Sequence, residues 1–109
     1  MAMVVKRFDV YLVNLAPTIG SEIQKTRPCL VISPDEMNRN IRTVIIAPMT
    51  SAQKDYPTRA SCIFRKKRGQ IVLDQIRTID KVRLIKKLGT IDSRAQLDVI
   101  SILQRLFAF

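Results

Sequence analysis

A succession of short apolar runs, each closed by Pro, Gly, Asn, Asp or Ser, gives way at Ser93 to one stretch of helical periodicity. That change of period constrains the fold more than any single residue. Phe8 to Leu15 is rich in β-formers and reads as a first strand. Ala16 to Glu22 is turn-rich and breaks it. Pro28 to Ser33 is a second strand, and Pro34 to Asn40 a turn or short helical excursion. Thr43 to Met49 is a third strand, ending at Thr50-Ser51. Gln53 to Pro57 is a polar, exposed loop, and Thr58 to Phe64 alternates as a fourth strand. Arg65-Lys66-Lys67-Arg68-Gly69 reads as a basic turn and Gln70 to Gln75 as a fifth strand. Arg77 to Asp80 then turns into a short helical turn at Lys81 to Leu84, and Ile85 to Ile91 adds a last strand broken by Gly89. From Ser93 to Phe107 the residues Val99, Ile100, Leu103, Leu106 and Phe107 share one helical face, and Ser93 with Gln96 fits a capping box. The expected fold class is therefore mostly β with helices (α+β). It is a small barrel-like sheet with a C-terminal amphipathic helix laid against it, as a single domain over residues 1–109.

Charge narrows the partner. The net charge is +10, from 19 Lys+Arg against 9 Asp+Glu. A domain this basic suits a polyanion, either nucleic acid or an acidic protein segment, although a basic surface also serves solubility alone. The apolar runs are too short for a membrane span and no secretory pattern precedes them, so cytoplasmic residence is expected. Met1-Ala2 ahead of Met3 reads as an addition before a natural start at Met3. Cys29 and Cys62 lie in apolar segments, with no CxxC and no histidine to complete a zinc site. Both are expected to be reduced core residues, and no metal or cofactor is expected. The lack of histidine also removes the usual acid/base residue at neutral pH.

Lys25-Thr26-Arg27-Pro28 leads directly into Cys29-Leu30-Val31-Ile32. Pro28 fixes φ and biases Arg27 toward an extended backbone. A guanidinium at the mouth of a rigid strand is well placed to clamp a phosphate bidentately. An arginine beside a turn is equally an ordinary surface residue, and the rest of the chain decides between these readings.

Three segments stand together: Gly20-Ser21-Glu22 leading to Thr26-Arg27-Pro28; Ala47-Pro48-Met49-Thr50; and Leu73-Asp74-Gln75-Ile76-Arg77-Thr78-Ile79-Asp80. In that order and spacing they resemble the MazF/PemK/Kid family of toxin endoribonucleases, over nearly the whole chain. Pro17 to Glu22 is similar to the family's P-x-x-G-S-E stretch, and Arg27 to Pro34 to its R-P-x-x-x-x-S-P block. The resemblance implies an SH3-like β-barrel with flanking helices and a homodimer. It implies metal-independent cleavage of single-stranded RNA at a short sequence, leaving a 2′,3′-cyclic phosphate and a 5′-hydroxyl. It also implies silencing by an acidic antitoxin. The family's catalytic arginine maps onto Arg27 and its threonine onto Thr50. The acidic position of the third block maps onto Asp74, followed by Gln75.

The residue types suit that chemistry. RNA supplies its own nucleophile, the 2′-hydroxyl, so alignment and charge stabilisation remain for the protein. Arg27 is too weak a base to accept a proton and is assigned charge stabilisation. Glu22 and Asp74 are the candidate proton acceptors, with substrate binding or loop anchoring as the alternative role for Asp74. Candidate RNA-binding residues are Ser21, Lys25, Thr26, Ser51, Tyr56, Arg65, Lys66, Lys67, Arg68, Gln75 and Arg77. Two departures from relatives stand out. Ser21 occupies a position where some carry histidine. Ile23-Gln24-Lys25-Thr26 replaces glycines just before the arginine, which makes the backbone less permissive. A non-catalytic nucleic-acid-binding barrel or transcription regulator is the competing function. A gyrase poison on a related fold ranks last, because that class uses a C-terminal tryptophan and this chain has none.

Overall fold

The computed structural model describes residues 4–23 and 25–109; the reading of Met1-Ala2 and the Gln24 position of the first loop lie outside the described residues. The described residues form seven strands: β1 Asp9–Asn14, β2 Thr26–Val31, β3 Thr43–Thr50, β4 Arg59–Phe64, β5 Lys67–Val72, β6 Arg77–Asp80 and β7 Leu84–Thr90. A short helix, α1 Asp35–Asn40, follows β2, and a long one, α2 Ser93–Phe107, ends the fold. The spatial order is β4-β5-β3-β2-β1-β7, with β6 added beside β3. Every pairing is antiparallel.

Strand periodicity divides the core in two. Val10, Leu30, Ala47 and Met49 point to one side, Tyr11, Val13, Cys29, Val31, Val44 and Ile46 to the other. Helix α2 covers the first side through Ala95, Val99 and Ile102. The sheet curls until its far ends approach each other. Arg65 at the β4–β5 tip donates from Nη2 to the Leu88 carbonyl on β7 at 2.5 Å. The Phe64 ring lies 3.1 Å from where a Cβ on Gly89 would stand, and Gly89 takes φ +155, so this crossing admits little but glycine.

Several expectations are revised. The N-cap of α2 is Asp92, not Ser93: its carboxylate accepts from the Ala95 N–H at 2.8 Å. Gln96 reaches back to the Ile91 carbonyl rather than closing a capping box with Ser93. The buried face runs through Ala95, Val99 and Ile102, so the expected stripe is rotated. Leu103 packs at its margin, while Leu106 is 37% and Phe107 70% exposed. The large apolar residues of the last turn pulled the phase toward themselves although they stand in solvent. Arg77–Asp80 is a strand, not a turn, because β3 supplies a ladder from Thr43↔Asp80 to Ile46↔Arg77. The fifth strand starts early, at Lys67, and closes in a 3-10 turn at Leu73–Gln75 instead of continuing extended.

Candidate active site

Arg27 is the second residue of β2, directly opposite Val13 of β1. On its other side β2 pairs with β3 as Cys29↔Pro48, and continuing that register sets Arg27 opposite Thr50. Pro28 thus does what its fixed φ allows, leading Arg27 into the strand in extended backbone. Arg27 is half-buried, and its Nη1 donates to the Met49 carbonyl at 3.3 Å, which orients the guanidinium fork. The Thr50 Oγ1 accepts from the Ala52 N–H at 3.2 Å. A hydroxyl held as acceptor on one side has its own proton to donate on another.

Both residues line one open cavity of about 450 Å³, together with Ser51, Arg65, Lys67 and Arg68 over an apolar floor of Pro28, Met49, Phe64 and Leu88. Cys29 lies beneath. Burial pushes its thiol up to about 12, against the pull of the Arg27 and Arg77 guanidiniums. It is therefore protonated near neutral pH and no nucleophile. Burial likewise raises the Cys62 thiol, with Asp92 adding to the effect. Both cysteines are free, as expected.

The basic turn is shorter than its sequence suggests. Phe64 pairs with Lys67, so Arg65-Lys66 alone make the hairpin, at φ 51 and 65. A two-residue hairpin of this kind favours Asn-Gly, because both central residues need positive φ. Here that position holds cations instead, a local strain of the sort found at functional sites. Arg65 lines the cavity, and Lys66 stands outside it. Lys67 and Arg68 belong to β5, where both are exposed and line the cavity. Gly69 is not a turn residue. It lies in β5, where an added Cβ would come within 2.8 Å of the Thr50 carbonyl oxygen. Gly69→Ala should therefore push the two strands apart at Thr50. Overpacking of this kind costs roughly 1–3 kcal/mol. The expected result is a lowered melting temperature and a proportionally larger loss of activity, read by thermal unfolding and turnover on the same sample.

A second recess of about 260 Å³ gathers Glu22, Asp74, Gln75 and Arg77 with Leu15 and Ile23. Three of its polar side chains hold the loop between β1 and β2, and Asp74 holds the start of β4. Gln75 Oε1 accepts from the Ile23 N–H at 2.9 Å, and Arg77 donates to the Leu15 carbonyl at 3.0 Å. Glu22 Oε1 accepts from the Ile19 N–H at 2.6 Å. Asp74 Oδ1 accepts from Thr58 Oγ1 at 3.1 Å and from Arg59 Nε at 3.4 Å. Lys25 takes φ 72, so this loop adopts the left-handed conformation without a glycine there. Ser21, Lys25 and Thr26 are exposed and line neither recess. Tyr56 also stands outside both, 51% exposed, with the Arg59 guanidinium 4.9 Å from its ring centroid. Sequence reasoning missed Arg59 and Arg83, which donates to the Asn14 and Ala16 carbonyls. Isolated arginines in polar segments carry no pattern that separates them from solvated ones. Among the described residues no cluster of His, Cys, Asp or Glu is arranged to hold a metal ion.

The PemK-like, MazF-like toxin family of type II toxin–antitoxin systems matches residues 6–107. Endoribonuclease EndoA of Bacillus subtilis (strain 168) is 43% identical over 97 residues, covering 83% of each chain. Endoribonuclease MazF of Staphylococcus epidermidis is 37% identical over 101 residues, covering 87% of this chain and 84% of that one. The fold superposes on a crystal structure of MazF from Deinococcus radiodurans with a TM-score of 0.86, at 24% identity, over 99% of this chain and 100% of that one. A MazE–MazF crystal structure from the same organism gives a TM-score of 0.79 at 25% identity, over 96% of each chain. The fold is thus shared with those structures over nearly the whole chain, and the chain belongs to the PemK-like, MazF-like toxin family.

Proposed function

We propose that the chain is a toxin endoribonuclease that cuts single-stranded RNA at a short sequence without a metal ion and is silenced by an acidic antitoxin. Membership of the toxin family and the endoribonuclease names of two sequence relatives support the activity. The observation that carries the chemistry is the placing of Arg27 and Thr50 on facing strand ends of one basic cavity. A scissile phosphate seated there meets a bidentate guanidinium and a hydroxyl donor as negative charge builds on its oxygens. The neighbouring 2′-hydroxyl attacks phosphorus, the bond to the 5′-oxygen breaks, and a 2′,3′-cyclic phosphate and a 5′-hydroxyl result. The 2′-hydroxyl proton passes to Glu22 or Asp74, the carboxylates of the second recess, and the departing 5′-oxygen takes a proton from Arg27 or water. Arg65, Lys67 and Arg68 track the flanking phosphates, and the same positive field attracts the carboxylates of the antitoxin. Tyr56, Lys66 and the loop residues Ser21, Lys25 and Thr26 reach RNA beyond the cavity, and Ser51, Gln75 and Arg77 contact it within the two recesses.

This reading includes a homodimer, and exposed apolar side chains such as Leu97 and Phe107 are surface that an assembly would cover. It also places the protein in the cytoplasm. No described helix is long and apolar enough to cross a membrane. The test is incubation with a defined single-stranded RNA in EDTA, followed by analysis of the product ends. Cleavage with cyclic phosphate ends is expected. Activity lost in EDTA and restored by Mg²⁺ would refute the mechanism.

A further inference from the structure

The connection from β3 to β4 has to cross the end of β5, because β5 lies between them in the sheet. It crosses at Gln70. The main chain of Gln70 sits opposite Thr50 on one side and Ser61 on the other. Its side chain, only 5% exposed, clasps the crossing loop: Oε1 accepts from the Lys54 N–H at 3.1 Å, and Nε2 donates to the Lys54 carbonyl at 2.8 Å. One amide thus serves both backbone groups of one loop residue, as a neighbouring strand would. Two further ties hold the far half of the loop. The Arg59 N–H donates to the Tyr56 carbonyl at 3.1 Å, and Thr58 and Arg59 both bond Asp74. Arg59 covers one face of the Tyr56 ring, which stays half exposed. A loop without regular structure is thereby fixed at its near end, its middle and its far end.

We propose that Gln70 is a positioning residue that holds loop 51–58 as an RNA-reading arm beside Thr50, with Tyr56 as its stacking platform. This rests on the ribonuclease reading above. The acceptor and the donor of the amide together set where the arm stands, and Tyr56, backed by Arg59, offers its ring to the base next to the cut. Specificity at that nucleotide then depends on a side chain that RNA never touches.

The full chain is tested as wild type, Gln70→Met, Gln70→Glu and Tyr56→Ala, on a long single-stranded RNA with all cut sites mapped. Gln70→Met should raise KM about tenfold, the lower part of what one base stack is worth. It should lower kcat far less, and add cut sites that wild type leaves intact. Gln70→Glu keeps the acceptor for the Lys54 N–H but sets a carboxylate oxygen against its carbonyl, so an intermediate effect is expected. Tyr56→Ala should reproduce the KM rise, and combining it with either Gln70 change should add little, since both remove the same contact. If Gln70→Met fails to fold, the isosteric Gln70→Glu with Tyr56→Ala decides the matter. An active wild type whose folded Gln70→Glu variant keeps the same KM and cut sites, or whose double variant is fully additive, would overturn the proposal and leave the ribonuclease reading standing. A wild type inert on RNA would remove that reading first and this inference with it.

Discussion

Arg27→Ala should retain the fold and lose cleavage by about a hundredfold or more, the usual loss when a donor aimed at transition-state charge is removed. The fold should survive because Arg27 is only half-buried, at the mouth of β2, and its bond to the Met49 carbonyl joins strands already paired through Cys29↔Pro48. Arg27→Lys is the sharper variant. It keeps the charge and most of the stem, so a site needing only positive potential would tolerate it. A planar fork placed opposite Thr50 offers two parallel donors that an ammonium cannot reproduce, and Arg27→Lys should therefore fall nearly as far as Arg27→Ala. Single-turnover cleavage of a defined RNA, with circular dichroism as the control for folding, measures both. Near-normal turnover of a folded Arg27→Lys protein would show that the clamp is not used.

Val99→Asp should abolish the folded state. Val99 is 0% exposed, at the centre of the face that α2 lays on the sheet, among Val10, Leu30, Met49 and Ile71. A carboxylate there has no partner, and burying a polar or charged group unpaired costs about 2–7 kcal/mol or more. Small domains hold only about 5–15 kcal/mol in total. Leu106→Asp is the contrast, since Leu106 stands 37% exposed on the last turn. Its change in stability should be within about 0.5 kcal/mol, as for surface positions generally. Denaturant unfolding of the pair separates the observed helix face from the one its apolar residues suggest. Equal destabilisation by both would mean that the last turn is buried in solution.

The strands were legible where β-formers stood in unbroken runs, as in Asp9–Asn14 and Thr43–Thr50. They were not legible where pairing came from outside the segment. Arg77–Asp80 has little intrinsic claim to be a strand, and β3 makes it one. Gly69 illustrates a different limit. Glycine beside four basic residues reads as a turn, yet the turn is Arg65-Lys66 and Gly69 is required by the nearness of the Thr50 backbone. Arg27 and Thr50 could be named from motif order, and the fold sets both on the lining of one cavity. Ser51, Arg65, Lys67 and Arg68 join them around one cavity, and Glu22, Asp74, Gln75 and Arg77 share a second. Which polar side chains hold loops was invisible. Gln70 and Gln75 act on backbone groups and Arg59 on the Asp74 carboxylate, all far away in sequence, and nothing local marks such a partner.

β3 has a further consequence. It meets three strands: β2 pairs with its middle on one edge, while β6 holds the start of the other edge and β5 its end. Partial opening of a small domain begins where ladders end and runs inward. The outer strands β4 and β7 can fray while β3 stays paired, so Thr50, at its tip, belongs to the last unit to give way. Arg27 shares that unit through β2. The two groups that must agree in position thus stay together when the outer strands fray, while the basic hairpin, one arm of which is the outer strand β4, loosens beside them.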